Sequence, residues 1–482
     1  MKKFRISLVL NLVSFLVLTG LLPTSGRLLA QSSFREEVER HVEPYLTNKA
    51  MVGLSVGILK SGHSEVLGFG STKKDASRTP DGDTLYEIGS LSKVFTGVLL
   101  GDAVERGHVQ LASSVADLVP AEFPQPHPSL RGIQLLHLAT HTSGLPRMPG
   151  NLDLSNVMDP YGSYDARRLF EFLHGHELRH EPGKHMEYSN LAVGLLGELL
   201  SQGSGKKYEQ LIQERIAGPL QMKDTVESLN QEQEARLAAG YTEAGLPASN
   251  WRFQALAGAG ALRSSVNDLL RFGRACLKPE NLKDPSSQQS REAQEGLRFL
   301  AKAIDLAWSV HRKSENSDEF TAGLNWLVAQ DGSTRFHNGQ TAGYHSAMFV
   351  NRELDQAVVV LSNTATMEVD RLAEDLFKVL SGTPVEPRQF EESLQIPNEV
   401  MQRYVGQYQL VPGVLFTVSV VDDKLLVGLT GQPAFQVFPK SETQWFYKVV
   451  EASITFDVDE VGKCNQMTLL QNGISQKAKR VN

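Results

Sequence analysis

Three serines in this sequence are followed three positions later by a lysine: Ser71 with Lys74, Ser90 with Lys93, and Ser204 with Lys207. A serine and a lysine so spaced share one face only where the chain is helical, with Cβ atoms about 5 to 6 Å apart. The chemistry open to such a pair is nucleophilic, because a lysine that loses its proton in dry surroundings can take the proton of the serine hydroxyl. Context separates the three. Ser71 falls in a polar loop after a strand-like run, and Ser204 follows Gly203 at the end of an apolar segment. Ser90 instead comes after Leu85, Tyr86, Glu87, Ile88 and Gly89 and opens an apolar stretch with Val94, Phe95, Val98, Leu99 and Leu100. A serine at a helix start is commonly only a cap. That reading accounts for Ser90 but not for Lys93, which one turn into an apolar helix must be desolvated or paired. The serine's own N–H at the helix start is also placed to act as an oxyanion donor, a contribution of ~3 kcal/mol in hydrolases.

Two further segments join this pair. Tyr188, Ser189 and Asn190 stand immediately before the apolar run 191–200, and His337, Asn338 and Gly339 precede Gln340, Thr341, Ala342, Gly343, Tyr344 and then a strand. With them the sequence resembles the serine β-lactamase and penicillin-binding family, especially its class C members. Tyr86-Glu87-Ile88-Gly89-Ser90-Leu91-Ser92-Lys93 fits the class C active-site pattern throughout. Leu135-Leu136-His137-Leu138-Ala139-Thr140-His141-Thr142-Ser143-Gly144-Leu145-Pro146 is similar to a second family block, and Glu181-Pro182-Gly183 to a third. The resemblance runs over about residues 35–380, with several motifs agreeing in order.

The resemblance implies that Ser90 is the acylated nucleophile, that Lys93 and Tyr188 move the proton, and that Asn190 positions substrate. It implies an oxyanion hole from the N–H groups of Ser90 and Gln340, with Gly339 and His337 on the substrate-binding side. A phenolate near a cation is stabilised, so Tyr188 beside Lys93 is expected to act as the base for acylation. His337-Asn338-Gly339 stands where class C β-lactamases usually have Lys-Thr-Gly. A histidine there resembles some DD-peptidases, esterases and D-aminopeptidases of the family. A neutral imidazole holds a carboxylate less firmly than an ammonium, which weighs against efficient β-lactam turnover. The expected substrate is a β-lactam, a D-Ala-type peptide or an ester, with no cofactor and no metal; a penicillin-binding sensor that acylates without turnover is the alternative, and a zinc protease on His176-Glu177-x-x-His180 the remote one.

Other patterns point elsewhere. His176-Glu177-Leu178-Arg179-His180 matches the H-E-x-x-H zinc-protease motif, with Glu198 downstream as a third ligand. Gly175 before it and Pro182 after it leave too little helix to hold two ligands on one face. Gly53-Leu54-Ser55-Val56-Gly57 matches the G-x-S-x-G elbow, but Ser55 lies within a strand run rather than at a strand-to-helix turn. His141 between Thr140 and Thr142 reads as a buried turn histidine. Cys276 and Cys464 are the only cysteines, expected as ordinary packed thiols.

The elements that must position these groups follow from periodicity. Residues 34–46 repeat as a helix, and residues 52–59 and 64–69 as the strands of a hairpin. A helix over 90–103 is followed by a largely helical stretch to about residue 300, with an exposed loop over 281–295. Strands return at 323–328, 347–350 and 357–362, before a helix over 369–380. The fold class expected is α+β: an antiparallel sheet flanked by helices, closed by both ends of the domain, plus a helical lobe. Residues 382–397 read as a linker. From 398 to 482, about eight short runs rich in Val, Phe, Tyr and Thr predict a small all-β barrel domain.

Composition sets the outer limits. The chain has 482 residues, 41% apolar and 21% charged, which fits a folded enzyme-sized body. Its formal charge of −7 has the wrong sign for nucleic-acid binding. Lys2, Lys3 and Arg5 precede the apolar run 6–22, so residues 1–30 read as an export signal and the 31–381 region as the hydrolase, periplasmic or secreted. Removing Lys2, Lys3, Arg5 and Arg27 and no acid takes the charge from −7 to −11. Membrane attachment is expected only if this segment stays uncleaved.

Overall fold

A computed structural model describes residues 24–481 apart from 76–77, 154–158, 284–289, 315–318, 391–393, 433, 448–451, 460–461 and 472–473. Residues 1–23, most of the expected leader, lie outside the described residues. No helix among the described residues is long and apolar enough to cross a membrane.

A seven-stranded antiparallel sheet forms the centre of the body. Its strands lie in the order His63–Gly70, Gly53–Lys60, Gln356–Ser362, His345–Asn351, Arg335–Gln340, Leu327–Val328 and Thr321–Ala322. The first strand thus pairs with the strand nearest the domain's other end, Val56 opposite Val360. Because side chains alternate between two covered faces, both strands are apolar over most of their length, with Ser55, Lys60, Gln356 and Ser362 as the polar exceptions. Leu54, Val56, Ile58, Val358 and Val360 pack toward the terminal helices Thr24–Thr47 and Glu368–Leu380, while Leu59, Ala357, Val359 and Leu361 join the core of the helical lobe. Each such fully buried aliphatic side chain contributes about 1.5–3 kcal/mol.

The C-terminal strands close into an eight-stranded antiparallel barrel between Gly406 and Arg480, with Tyr408 opposite Arg480 at the closing seam. Inward positions alternate along its strands: Leu425 and Val427, Ile454 and Phe456, Met467 and Leu469 are all buried. A barrel of this strand number is just wide enough for side chains to fill it. Tyr404 stacks on Phe456 with ring centroids 4.2 Å apart. Cys276 and Cys464 are both buried and free.

The sequence reading needs three corrections. Residues 291–295 are not loop but the start of the helix Arg291–Trp308, capped by Ser290; their polar residues face out from the first turns of an amphipathic helix. The run 323–328 is not one strand but a tight hairpin, in which Gly323 N–H donates to Trp326 O at 2.9 Å. His337, Asn338 and Gly339 do precede a strand, His345–Asn351, as expected, but they are themselves strand residues, within Arg335–Gln340 and paired with it. Backbone pairing, invisible in their polar side chains, makes them a strand.

Candidate active site

Ser90 lies in a single 3-10 turn, Gly89–Leu91, and the helix begins two residues later, Ser92–Glu105. The turn is pinned at both ends: Leu91 N–H donates to Ile88 O, Ile88 N–H to Leu262 O, and Ser346 Oγ to Ile88 O. Ser90 is half-buried and therefore reachable, while Lys93 is fully buried. The spacing brings them together as the sequence predicted, with Lys93 Nζ 2.9 Å from Ser90 Oγ. Lys93 Nζ also meets Asn190 Oδ1 at 2.8 Å and Ala259 O at 2.7 Å. Asn190 opens the helix Asn190–Ser204, where Ser189 is the N-cap and accepts from Ala192 N–H at 2.9 Å. The Tyr188 ring lies beside the same amine, its centroid 5.0 Å from Lys93 Nζ.

The site strand Arg335–Gln340 runs against the Ser90 turn so closely that only glycine fits at the crossing. A Cβ on Gly339 would sit 2.0 Å from Ile88 O and 2.7 Å from Ser90 N, and one on Gly89, which has φ of 50°, would sit 2.7 Å from Gln340 N. The main chain of Gln340 thereby lies beside the turn that carries the Ser90 N–H. Gly339 contributes clearance rather than a binding group.

Among the described residues Lys93 has no carboxylate partner; burial lowers its pKa well below the ordinary amine range, and the charge of Arg147 pushes the same way. Lys93 Nζ donates to Ser90 Oγ, Asn190 Oδ1 and Ala259 O; once it loses a proton, two N–H bonds still serve Asn190 Oδ1 and Ala259 O and the lone pair is left for the Ser90 hydroxyl. Tyr188 departs from expectation. Burial outweighs the neighbouring charge and raises its phenol to about 12, so it is held protonated rather than as phenolate. His337 is lowered to about 3, first by burial and then by Lys93. Its Nδ1 lies 2.6 Å from the Asn338 carbonyl and must donate to it, which leaves Nε2 as a bare acceptor. His141 stacks on Tyr188 at 4.4 Å and is likewise pushed well below its usual value, mainly by burial.

A nucleophilic hydroxyl, a dry amine and a phenol thus converge at the end of a sheet edge. A family model described as Beta-lactamase matches residues 38–382. The chain belongs to the β-lactamase family. Residues 391–479 match a second model, a domain of unknown function, DUF3471. A β-lactamase of Pseudomonas fluorescens is 26% identical over 71% of this chain and 96% of its own length. Penicillin-binding protein 4* of Bacillus subtilis is 25% identical over 86% of this chain and 91% of its own. The D-alanyl-D-alanine-carboxypeptidase/endopeptidase AmpH of Escherichia coli is 30% identical over 49% of this chain and 60% of its own. This family member is accordingly an enzyme of the serine hydrolase type.

The other serine and lysine pairs of this family member do not meet. Ser71 Oγ donates to Lys73 O while Lys74 Nζ donates to Gly245 O, and Ser204 Oγ donates to Ser201 O. Ser55 is buried in the strand Gly53–Lys60, bonded to Asp81 O and to Tyr86 Oη. The helix before His176 ends at Gly175, so His176 and His180 share no helical face, and Glu198 accepts from Gln202 instead. Two contributors escaped the sequence reading. Arg147 places its guanidinium carbon 5.1 Å from the Tyr188 ring centroid. Asp370 accepts from Asn338 Nδ2 at 2.7 Å and bonds His345 Nε2 at 2.8 Å, and the other nitrogen of His345 lies 3.1 Å from Gln340 Oε1. An exposed arginine and a helix-end aspartate give no local pattern; only folding brings them to the site.

Proposed function

We propose that this enzyme forms an acyl-enzyme on Ser90 with β-lactams or D-Ala-type peptides and then hydrolyses it. The observation that carries the reading is the contact of Ser90 Oγ with the buried amine of Lys93 at 2.9 Å. Lys93 Nζ takes the hydroxyl proton as Ser90 Oγ attacks the carbonyl carbon. The N–H groups of Ser90 and Gln340 receive the charge that develops on the carbonyl oxygen. On collapse the leaving nitrogen or oxygen gains a proton from the Tyr188 hydroxyl, which recovers one from Lys93. Water then attacks the ester carbonyl, and the same groups return the proton to Ser90. With the Lys93 amine pushed toward its neutral form and the Tyr188 phenol toward its protonated form, the base in this scheme is the amine and the acid is the phenol.

The neutral His337 favours peptides and esters over fast β-lactam turnover. The names of the relatives span both, a β-lactamase and a carboxypeptidase/endopeptidase. Residues 1–30, with their basic start and apolar run, support export to the periplasm or medium. The test is labelling by a fluorescent penicillin together with nitrocefin turnover. Labelling that disappears in Ser90→Ala but survives in Ser71→Ala and Ser204→Ala is expected. Persistence of the label with little turnover marks a peptidase or sensor, fast turnover marks a lactamase, and equal labelling of Ser90→Ala contradicts the proposal.

A further inference from the structure

The substrates proposed above commonly carry a carboxylate near the bond that breaks, and the site strand offers no cation beside Tyr188 to hold it. His337 is the side chain placed on that strand beside Tyr188, with ring centroids 6.2 Å apart. Its Nδ1–H is committed to the Asn338 carbonyl, so its remaining nitrogen presents a lone pair, which repels an anion. Lys93 is sealed from solvent with all its contacts made inside the protein.

Arg147 differs from both. It is exposed, and no ion-pair or side-chain hydrogen-bond partner faces it among the described residues. Its position is nevertheless set by the site's own backbone. Arg147 O accepts from Asn190 N–H at 3.0 Å and from Leu191 N–H at 3.3 Å, and Pro146 O accepts from Ser189 Oγ at 2.7 Å. The residue is thus tied to the segment that carries Tyr188 and Asn190. Its charge reaches Lys93, His141, Tyr161 and Tyr188, all buried groups of the site. A cation held there without an acid raises the cost of every positive charge nearby, so a bound anion would relieve the field as well as pair with the fork. Guanidinium geometry matches a carboxylate through two parallel N–H···O bonds.

We infer that Arg147 is the specificity-determining residue that receives the substrate's carboxylate, in place of a cation at the position of His337. The inference rests on Ser90-dependent acyl transfer at this site. It assigns the class of substrate as an anionic acyl donor and makes neutral esters the poorer ones. Arg147 carries no proton in the reaction; its part is recognition.

The test is a matched pair of aryl esters, one with a carboxylate on the leaving group and one uncharged, hydrolysed by the full chain. The readout is the ratio of their kcat/KM values, which is independent of the fraction of folded enzyme. Wild type is expected to prefer the anionic ester about tenfold or more, a preference that shrinks with added salt. Arg147→Gln should bring the ratio close to unity, mainly through KM of the anionic ester, and Arg147→Lys should restore part of it. A ratio that survives Arg147→Gln overturns the inference, as does an equal loss on both esters, which would place Arg147 in tuning Tyr188 instead. Hydrolysis of both esters unaffected by Ser90→Ala would overturn the proposed function itself, and the inference with it.

Discussion

The hydrolase body and the barrel treat buried polar groups differently. In the barrel each is answered within the protein: Tyr404 donates to Glu442 O at 2.9 Å, Trp445 Nε1 to the same carbonyl at 3.0 Å, and Tyr408 to Tyr404 O at 2.8 Å. In the body, buried side-chain atoms such as His141 Nε2, His337 Nε2, Trp326 Nε1 and both amide atoms of Asn325 have no protein partner. All such atoms among the described residues belong to the body. Leaving a buried polar atom unmatched costs about 1–3 kcal/mol. Two of these atoms belong to the imidazoles on either side of Tyr188, and Lys93 is buried there without a carboxylate. The contrast teaches where the fold trades stability for chemistry. The barrel is built as packing, the site around a buried amine pushed away from the charged state it would choose in water.

Breaking the reactive half of this contrast should give the largest effects. Ser90→Ala should lower hydrolysis of the preferred acyl donor by about 10³-fold or more, with an unfolding midpoint within experimental error of wild type. Lys93→Met should lower the rate by about 10²- to 10⁴-fold, yet leave stability little changed, because relief from burying an amine without a counter-charge offsets the loss of its bonds to Asn190 Oδ1 and Ala259 O. The sign of the linkage sharpens this. The folded-state pKa of Lys93 is depressed, so the native state binds fewer protons than the unfolded one between that lowered value and about 10.5. Wild-type stability should therefore rise with pH across that window, and urea titrations at several pH values should show the rise diminished in Lys93→Met. A flat profile in both proteins would argue that the amine keeps its proton.

The scaffold half should respond in the opposite way. Ile454→Ala, at a fully buried barrel position, should cost about 2–5 kcal/mol of barrel stability by opening a cavity. Turnover at low denaturant should be unchanged, and a matching loss of activity would mean that the barrel takes part in the site. The smallest effect is expected at the contact between the two regions. Lys424 Nζ donates to Ala244 O at 2.5 Å, and Lys424→Ala should cost no more than about 1 kcal/mol, measured as a shift in the urea midpoint.

Much of this was legible in the residues. The short, largely apolar runs 52–59 and 357–362 mark strands buried on both faces, and the regular spacing of short runs after residue 404 marks the barrel. Lys93 stood out because its charge conflicts with the apolar residues around it, and the fold keeps that conflict. What sequence could not supply was contact between distant segments. The need for glycine at 89 and 339 arises where a strand crosses the Ser90 turn 250 residues away in the chain. Tyr188 was read as a stabilised phenolate from its neighbour's charge; its protonated state follows from burial, a property of the whole lobe. Arg147 and Asp370 had no signal of their own, since an exposed arginine and an acid in a first helical turn are ordinary on any surface.

Selective ¹³Cε labelling of lysine, with the Lys93 resonance assigned by its absence from the Lys93→Met spectrum, would report the protonation of this amine without relying on any substrate. A titration midpoint well below 10.5 is the result expected for a base ready to accept the proton of Ser90. A midpoint at or above 10.5 would contradict it, leaving a permanent ammonium beside the hydroxyl and no neutral amine to activate it.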